Sequence, residues 1–244
     1  MHADHVMGLP GLLASMNLLG RQTSIEIFGP EELESFERTI WHKTGTHIDF
    51  PVKFSVVDSS KPSLLIEMNS YKIEAFPTKH RIATCGYKIE ELRGNWSLKP
   101  ETKDLFNLSY HEINLLKKGE SINRKGGVVV DPNKCCIAPI KSRSYVFAAD
   151  TAFTPKVVDA ARDATLLYHE ATFMESEKSI AIKTMHSTAS DAGRVASEAG
   201  VQNLMLGHFS NRYKVLDDLL AEASAVFKKT SLAIEGDTIS IGNL

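Results

Sequence analysis

The chain has 244 residues, of which 43% are hydrophobic and 24% are charged, and its formal net charge is -2. This is the composition of an ordinary globular domain, and it excludes disordered, collagen-like and coiled-coil proteins. Because the net charge is close to zero, bulk charge does not indicate a nucleic-acid partner, although a local basic patch would be hidden in the sum.

Cysteine usage and apolar runs favour a cytoplasmic protein without a membrane partner. The cysteines number three and include the adjacent pair Cys135 and Cys136, so we expect no disulfide framework. No apolar run approaches the ~20 residues that a membrane span needs. The N-terminal stretch places His2, Asp4 and His5 where a signal peptide has basic residues.

The first third of the chain predicts short strands and helices in alternation. Apolar runs of helical length and period-2 alternation distinguish the two. In chain order we expect a turn at 8–11, a helix at 12–19, a strand at 23–28, a helix from Pro30 to about His42, a strand at 52–57, a hairpin of 64–68 with 71–76, and a strand at 83–89.

Residues 91–125 differ in character from their flanks. They are polar and charged, with one helix-like patch near 108–116. We interpret them as a lobe inserted into a single domain that spans residues 1–244.

After the lobe, the pattern becomes regular. We expect strands at 144–148, 164–168 and 203–206. We expect helices at 155–161, after residues 186–188 to about Glu198, and at 215–227, and a closing strand pair at 231–234 and 238–241. Thr188 or Ser187 would cap the second helix, with Asp191 in a capping-box position. Strand, polar residue and helix follow each other repeatedly, which predicts an α/β or α+β layered fold with site residues at one sheet edge.

The loops after these strands carry residues that bind metals. Histidine nitrogen and carboxylate oxygen are the usual ligands of catalytic zinc. Two metals roughly 3.5–4 Å apart suit phosphodiester hydrolysis, and one carboxylate can bridge them. A short motif such as HxDH, or a lone histidine, is weak evidence, so the ordered set matters more. The candidates are His2, Asp4, His5, His80, Asp150, His169, Glu170 and His208.

Six motifs resemble those of the tRNase Z (ribonuclease Z) family. In order, they are HADHVMGLPGLL, TKHRIATCGYKIEE, AADTAF, LLYHEATF, MHSTASDAGRVA and LGHFSNRY, and they extend from residue 1 to about residue 213. The resemblance implies the αββα sandwich of the metallo-β-lactamase fold. It also implies a homodimeric endoribonuclease that removes the 3′ trailer from precursor tRNA, with two Zn²⁺ per chain and Mn²⁺ or Mg²⁺ as substitutes.

The resemblance further implies roles for single residues. The implied zinc ligands are His2 and His80 for one ion, Asp4, His5 and His208 for the other, and Asp150 as the bridge. Asp4 would also act as general base, and His186 would protonate the departing 3′ oxygen. Glu170 would orient His186, or it would be an ordinary capping or salt-bridged carboxylate. Ser210 and Arg212 would contact phosphate or fix the His208 loop, whereas His169 is expected to be structural.

Two features depart from the family pattern. The family motif is HxHxDH and this chain begins at its second residue, so we expect an incomplete chain that lacks N-terminal strands of the sandwich. Residues 91–125 stand where many bacterial members carry a tRNA-binding arm, but they lack its Gly-Pro pair. They are either a divergent arm or a solvated surface hairpin.

Two other functions stay open at this point. One is a different phosphodiesterase of the metallo-β-lactamase fold, which would keep the metals but not the arm. The other is an inactive RNA-binding or dimer-partner fragment, which would bind metal weakly or not at all.

Overall fold

The computed structural model describes residues 1–92, 94–139 and 142–241. Its helices are α1 (Ala3–Val6), α2 (Gly8–Leu18), α3 (Glu32–Thr44), α4 (Thr102–Leu105), α5 (Tyr110–Lys117), α6 (Pro132–Cys135), α7 (Pro155–Ala160), α8 (Lys178–Thr184), α9 (Ala189–Ala199) and α10 (Asp217–Val226). Its strands are β1 (Ile25–Gly29), β2 (Val52–Val56), β3 (Ser63–Glu67), β4 (Tyr71–Pro77), β5 (Cys85–Glu91), β6 (Ser97–Leu98), β7 (Ile122–Asn123), β8 (Val129–Val130), β9 (Cys136–Ile137), β10 (Ser144–Ala148), β11 (Leu166–Glu170), β12 (Asn203–Gly207) and β13 (Thr230–Leu232).

Within the described residues, seven strands form one sheet in the order β13-β12-β11-β10-β5-β4-β3. The strands from β10 to β13 are parallel, as expected where a helix connects each strand to the next. Strands β3 and β4 form an antiparallel hairpin. A smaller sheet pairs β1 with β2 in parallel.

Helices α7, α9 and α10 cover one face of the large sheet. Val146, Leu167 and Leu204 from the strands pack in one buried cluster with small and branched side chains of these helices. Helix α9 approaches α10 closely at Gly193, where a Cβ atom would lie 2.9 Å from the carbonyl oxygen of Ala223. The alternation of strand and helix therefore buries a continuous apolar layer.

The small sheet faces the large one across an apolar cavity of about 360 Å³. Ile27 and Phe28 of β1 line one side, and Tyr87 of β5 and Phe147 of β10 line the other. Helix α3 packs on the small sheet, where the ring of Trp41 lies 6.3 Å from that of Phe54. These layers confirm the α/β layered fold that the sequence predicts.

A second compact unit comprises Met68–Tyr71 and Glu90–Arg143. Its core contains Leu108, Leu116, Ile122, Val130, Cys135 and Cys136. Helix α5 begins with a capping box, in which the Ser109 side chain accepts from the Glu112 backbone and Glu112 accepts in return from Ser109. Residues 91–125 lie within this unit, which extends beyond them to Arg143.

Two sequence predictions of local structure are wrong. The turn expected at 8–11 is the first part of helix α2, because a proline in a first turn removes an N–H that has no partner there. The strand expected at 238–241 is absent from the described residues, and Thr230–Leu232 pairs instead in parallel with β12. Ile239 and Ile241 are only partly buried and no described strand includes the segment, so alternation alone does not produce a strand.

The predicted start of helix α9 agrees with the structure. Thr188 caps α9, and Asp191 completes the capping box. The three cysteines are free, with Cys135 and Cys136 buried. Among the described residues, no helix has the length and hydrophobicity to cross a membrane.

Candidate metal centre

Three neighbouring parallel strands deliver polar side chains to one edge of the large sheet. Asp150 follows β10, Glu170 ends β11 and His208 follows β12. Asp150 and His208 have φ angles of 47° and 56°, a left-handed conformation that costs a non-glycine residue about 1–3 kcal/mol. Surrounding contacts must hold this geometry. One of them is the close approach of the Tyr168 side chain to Gly207, where a Cβ atom would lie 2.1 Å from the Tyr168 hydroxyl.

Asp150 is the residue on which three histidines converge. Its Oδ1 lies 3.1 Å from His208 Nε2, and its Oδ2 lies 3.1 Å from His5 Nε2 and 3.5 Å from His2 Nδ1. The side chain is almost fully buried. The hydrogen bond from His208 holds the pKa of Asp150 well below its usual value, so the carboxylate is ionised and can bind cations.

The loop between β4 and β5 is joined to the loop that carries Asp150. The backbone N–H of Lys79 donates to Thr151 Oγ1 at 3.1 Å, and the N–H of Ala152 donates to the Lys79 carbonyl at 2.8 Å. Both bonds are made by Lys79, the residue before His80, so they hold the start of the His80 segment against the Asp150 loop.

The His80 ring lies among the other histidines. Its centroid is 5.1 Å from that of His2 and 4.9 Å from that of His186. His80 Nδ1 lies 3.0 Å from the carbonyl oxygen of Met185. Since a carbonyl only accepts, Nδ1 carries the proton and Nε2 of the neutral ring keeps its lone pair for a metal.

Asp4 stands at the rim of this centre. Its side chain is 75% exposed, and its Oδ2 lies 3.7 Å from His5 Nε2. It is outside the two groups of donor atoms that converge most tightly, and so is His80. Each lies beside one member of these groups: Asp4 beside His5, and His80 beside His2.

Glu170 is fully buried and surrounded by hydrogen-bond donors. The N–H groups of Thr151 and Ser187 donate to its carboxylate at 2.5 and 3.0 Å. The Thr172 hydroxyl donates at 2.6 Å, and His186 Nδ1 lies 3.0 Å from both oxygens. Burial raises the pKa of Glu170, but the hydrogen bonds, with His186 first among them, outweigh it and lower the pKa. The carboxylate is therefore ionised and occupied by protein donors.

His186 is oriented by that carboxylate. Because Nδ1 is directed at Glu170, Nε2 is the ring nitrogen left for other partners. Its ring stacks on that of His208, with centroids 5.4 Å apart and an interplanar angle of 27°. His186 therefore lies beside His208, and one of its ring nitrogens is hydrogen-bonded to Glu170.

Ser210 and Arg212 lie on the segment after His208. Arg212 Nε donates to Ser210 Oγ at 3.2 Å, and its guanidinium pairs with Glu177. The same guanidinium lies 5.0 Å from the centroid of the Phe173 ring. Arg212 is thus anchored by protein groups on several sides.

The described donor atoms fit divalent metal ions. Two groups have donor atoms within 4.8 Å of one another: His2, His5 and Asp150 in one, and Asp150, Glu170, His186 and His208 in the other. Asp150 belongs to both. In the described part of the chain, the buried atoms Asp150 Oδ2 and His2 Nε2 have no hydrogen-bond partner. Convergent histidine nitrogens and a shared carboxylate with an unsatisfied buried oxygen are what a metal centre requires.

Sequence patterns gave no role to several residues that shape the centre. Thr172 contacts both Glu170 and His208, and Met185 offers its carbonyl to His80. Threonine and methionine occur in many loops without a functional role, so their residue type alone does not indicate a contact with the centre. Only the distance between segments far apart in the chain identifies these contacts.

Solved structures with the same fold include the short form of human tRNase Z. It superposes with a TM-score of 0.64 at 23% identity, covering 99% of this chain and 76% of that one. The metallo-beta-lactamase fold protein YhfI from Bacillus subtilis superposes with a TM-score of 0.62 at 19% identity, covering 97% of this chain and 73% of that one. The chain therefore has the metallo-β-lactamase fold, with a cluster of candidate metal-binding donors at the edge of its large sheet.

Sequence comparison refines this class, although no protein-family model matches. The ribonuclease Z of Porphyromonas gingivalis is 36% identical over 236 residues, which cover 96% of this chain and 77% of that protein. The ribonuclease Z of Parabacteroides distasonis is 33% identical over 241 residues, which cover 99% and 79%. The chain belongs to the ribonuclease Z family, and it is a phosphodiester hydrolase of that type.

Proposed function

We propose that this protein cuts precursor tRNA at the 3′ trailer and leaves a 3′-hydroxyl on the tRNA. The observation that carries the proposal is the position of Asp150 in both groups of convergent donors, because a shared carboxylate suits a pair of metal ions. Membership of the ribonuclease Z family supports the choice of substrate.

We assign two Zn²⁺ to each chain, with Mn²⁺ or Mg²⁺ as substitutes. The proposed ligands are His2 and His80 for one ion, Asp4, His5 and His208 for the other, and Asp150 for both. Ions bound there would lower the pKa of an attacking water and neutralise charge on the transferred phosphate. Glu170 is excluded from this set because protein donors occupy both of its oxygens.

The protein side chains supply the two proton transfers. Asp4, exposed at the rim, accepts the proton of the attacking water. His186 gives a proton from Nε2 to the departing 3′ oxygen, a poor leaving group without it. The buried, ionised Glu170 beside Nδ1 stabilises the positive charge on the His186 ring until that proton leaves.

We further propose that residues 91–125 form a tRNA-binding arm inserted into one metallo-β-lactamase-fold domain. Lys103, Lys117, Lys118 and Lys125 are exposed there. By contrast, Arg124 donates to Glu112 and to the Phe106 carbonyl, so it contributes to the structure of the unit. Among the described residues of this range, these four exposed lysines are available to phosphate.

A homodimer in the cytoplasm is part of the same proposal. Leu18 and Leu19, at the end of α2, are each 87% exposed, and Leu12 on the same helix is also exposed. Apolar side chains clustered on a surface are typical of protein interfaces.

The test is cleavage of a 3′-extended precursor tRNA by the purified protein with zinc or manganese. We expect release of a trailer with a 5′-phosphate, loss of activity in a chelator, and a loss of at least about a hundredfold in Asp4→Ala. Asp159→Ala is the matched control, since Asp159 is a similarly exposed aspartate on α7.

Two results would overturn the assignment. One is a metal-loaded protein that releases no trailer, and the other is an Asp4→Ala variant that cuts as fast as the wild type. Hydrolysis of bis(p-nitrophenyl) phosphate without tRNA cleavage would instead favour a phosphodiesterase for other substrates.

A further inference from the structure

The hydroxyl group of Thr172 lies between Glu170 and His208. Thr172 Oγ1 is 2.6 Å from Glu170 Oε2 and 2.9 Å from His208 Nδ1. It is also 3.0 Å from the backbone carbonyl oxygen of His208. The side chain is buried, so water does not compete freely for these contacts.

The proton count at this hydroxyl determines the state of the His208 ring. A threonine hydroxyl has one proton to donate. Glu170 Oε2 is a carboxylate acceptor at the shortest of the three distances, so it receives that proton. The hydroxyl oxygen then accepts from His208 Nδ1, which must therefore carry a proton.

With Nδ1 protonated and bound to the threonine hydroxyl, Nε2 is the ring nitrogen that would ligate a metal ion, in place of its hydrogen bond to Asp150. That nitrogen is the one directed at the centre, since it lies 3.1 Å from Asp150 Oδ1. A histidine whose second ring nitrogen is hydrogen-bonded keeps the correct tautomer and ring orientation for a metal. His80 has the same arrangement, with the carbonyl of Met185 as its partner.

We propose that Thr172 is a positioning residue that relays the charge of Glu170 to His208. A single buried carboxylate then orients two functional side chains, His186 by direct contact and His208 through the threonine hydroxyl. The roles given to His186 and His208 rest on the proposed function. The hydrogen-bond relay itself concerns metal affinity and can be tested without tRNA.

The first test compares Thr172→Val with Thr172→Ser by competition for zinc against a chromophoric chelator. Valine keeps the shape and removes the hydroxyl, so we expect zinc affinity to fall about 10- to 100-fold. Serine keeps the hydroxyl and should stay within about threefold of the wild type. Thr165→Val is the matched control, since Thr165 is a buried threonine whose hydroxyl binds the Ser144 N–H.

The second test needs no variant, so it holds even where Thr172→Val fails to fold. In the zinc-loaded wild type, ¹⁵N NMR of the imidazoles should show His208 protonated at Nδ1 and metal-bound at Nε2. Protonation at Nε2 instead would overturn the proposal. So would a folded Thr172→Val variant with wild-type zinc affinity, or a Thr172→Ser variant as weak as Thr172→Val. Absence of trailer release by the wild type would overturn the proposed function and leave these affinities to be compared.

Discussion

At the scale of single residues, the two buried carboxylates of the candidate centre differ in their hydrogen bonds. Asp150 keeps one oxygen free of hydrogen bonds, whereas Glu170 has donors on both oxygens. Like charges held in one site repel unless each has its own favourable partners. Asp150 is therefore matched to cations, and Glu170 is matched to the donors that fix His186.

Replacing His186 tests this division. We expect His186→Ala to keep the metal content of the wild type, because its Nδ1 is bound to Glu170, and to cut precursor tRNA about 10²- to 10⁴-fold more slowly. The rate on a substrate with a p-nitrophenolate leaving group should fall far less, since that group departs without a proton. Metal analysis and the two turnover rates measure the difference.

His208→Ala is the companion variant. Its Nε2 faces Asp150, so this substitution should lower the metal content and slow both substrates together. The division is wrong if His186→Ala loses a metal ion or if both substrates slow equally in that variant.

At the scale of elements, much of the fold around the centre could be predicted from the sequence. The capping box of Thr188 and Asp191 and the parallel strands that end near Asp150 and Glu170 follow from residue type and periodicity. Helix α8 was not predicted, because Lys178–Thr184 is short and largely exposed. The Thr172 contacts were not predicted either, because they join segments 36 positions apart.

Helix α5 provides a pH-dependent prediction for the second unit. Hydrogen bonds, first from Arg124 and then from Ser109, lower the pKa of Glu112 to about 2. Because this value lies below that of an unfolded chain, roughly 4.3, the ionised group stabilises the fold above about pH 4.3. That stability is lost as the pH falls towards 2, and Glu112→Gln should weaken this acid dependence.

The fluorescence of Trp96, which packs against the core of that unit, can report the transition in a Trp41→Phe background. The denaturant midpoint would be followed from pH 6 to pH 2.5. Glu120→Gln is the control on an exposed glutamate of the same unit. Parallel acid dependence in Glu112→Gln and the wild type would contradict the prediction.

At the scale of the whole molecule, charge position matters more than net charge. The chain has a formal charge of -2, but Lys103, Lys117, Lys118 and Lys125 are exposed in the proposed arm. Replacing all four with glutamine should weaken tRNA binding and make the plot of log affinity against log salt less steep. The slope should change by roughly 0.7–0.9 for each phosphate contact that is lost.

Filter binding at several salt concentrations gives these slopes. The control replaces Lys43, Lys156, Lys228 and Lys229, which are also exposed but lie outside residues 91–125. It changes the net charge equally, so a general charge effect would lower affinity in both variants. Equal slopes for the two variants would refute a role of the arm lysines.

The donor atoms of the centre come from chain positions as distant as His2, His80 and His208. Each long loop must close before those atoms meet, so the conformational entropy of loop closure is lost before an ion can bind. No contiguous stretch of the described chain brings these donor atoms together. In the proposed centre, metal uptake would therefore follow the completion of folding, and ions that bind only the folded arrangement would shift the population away from partly unfolded chains.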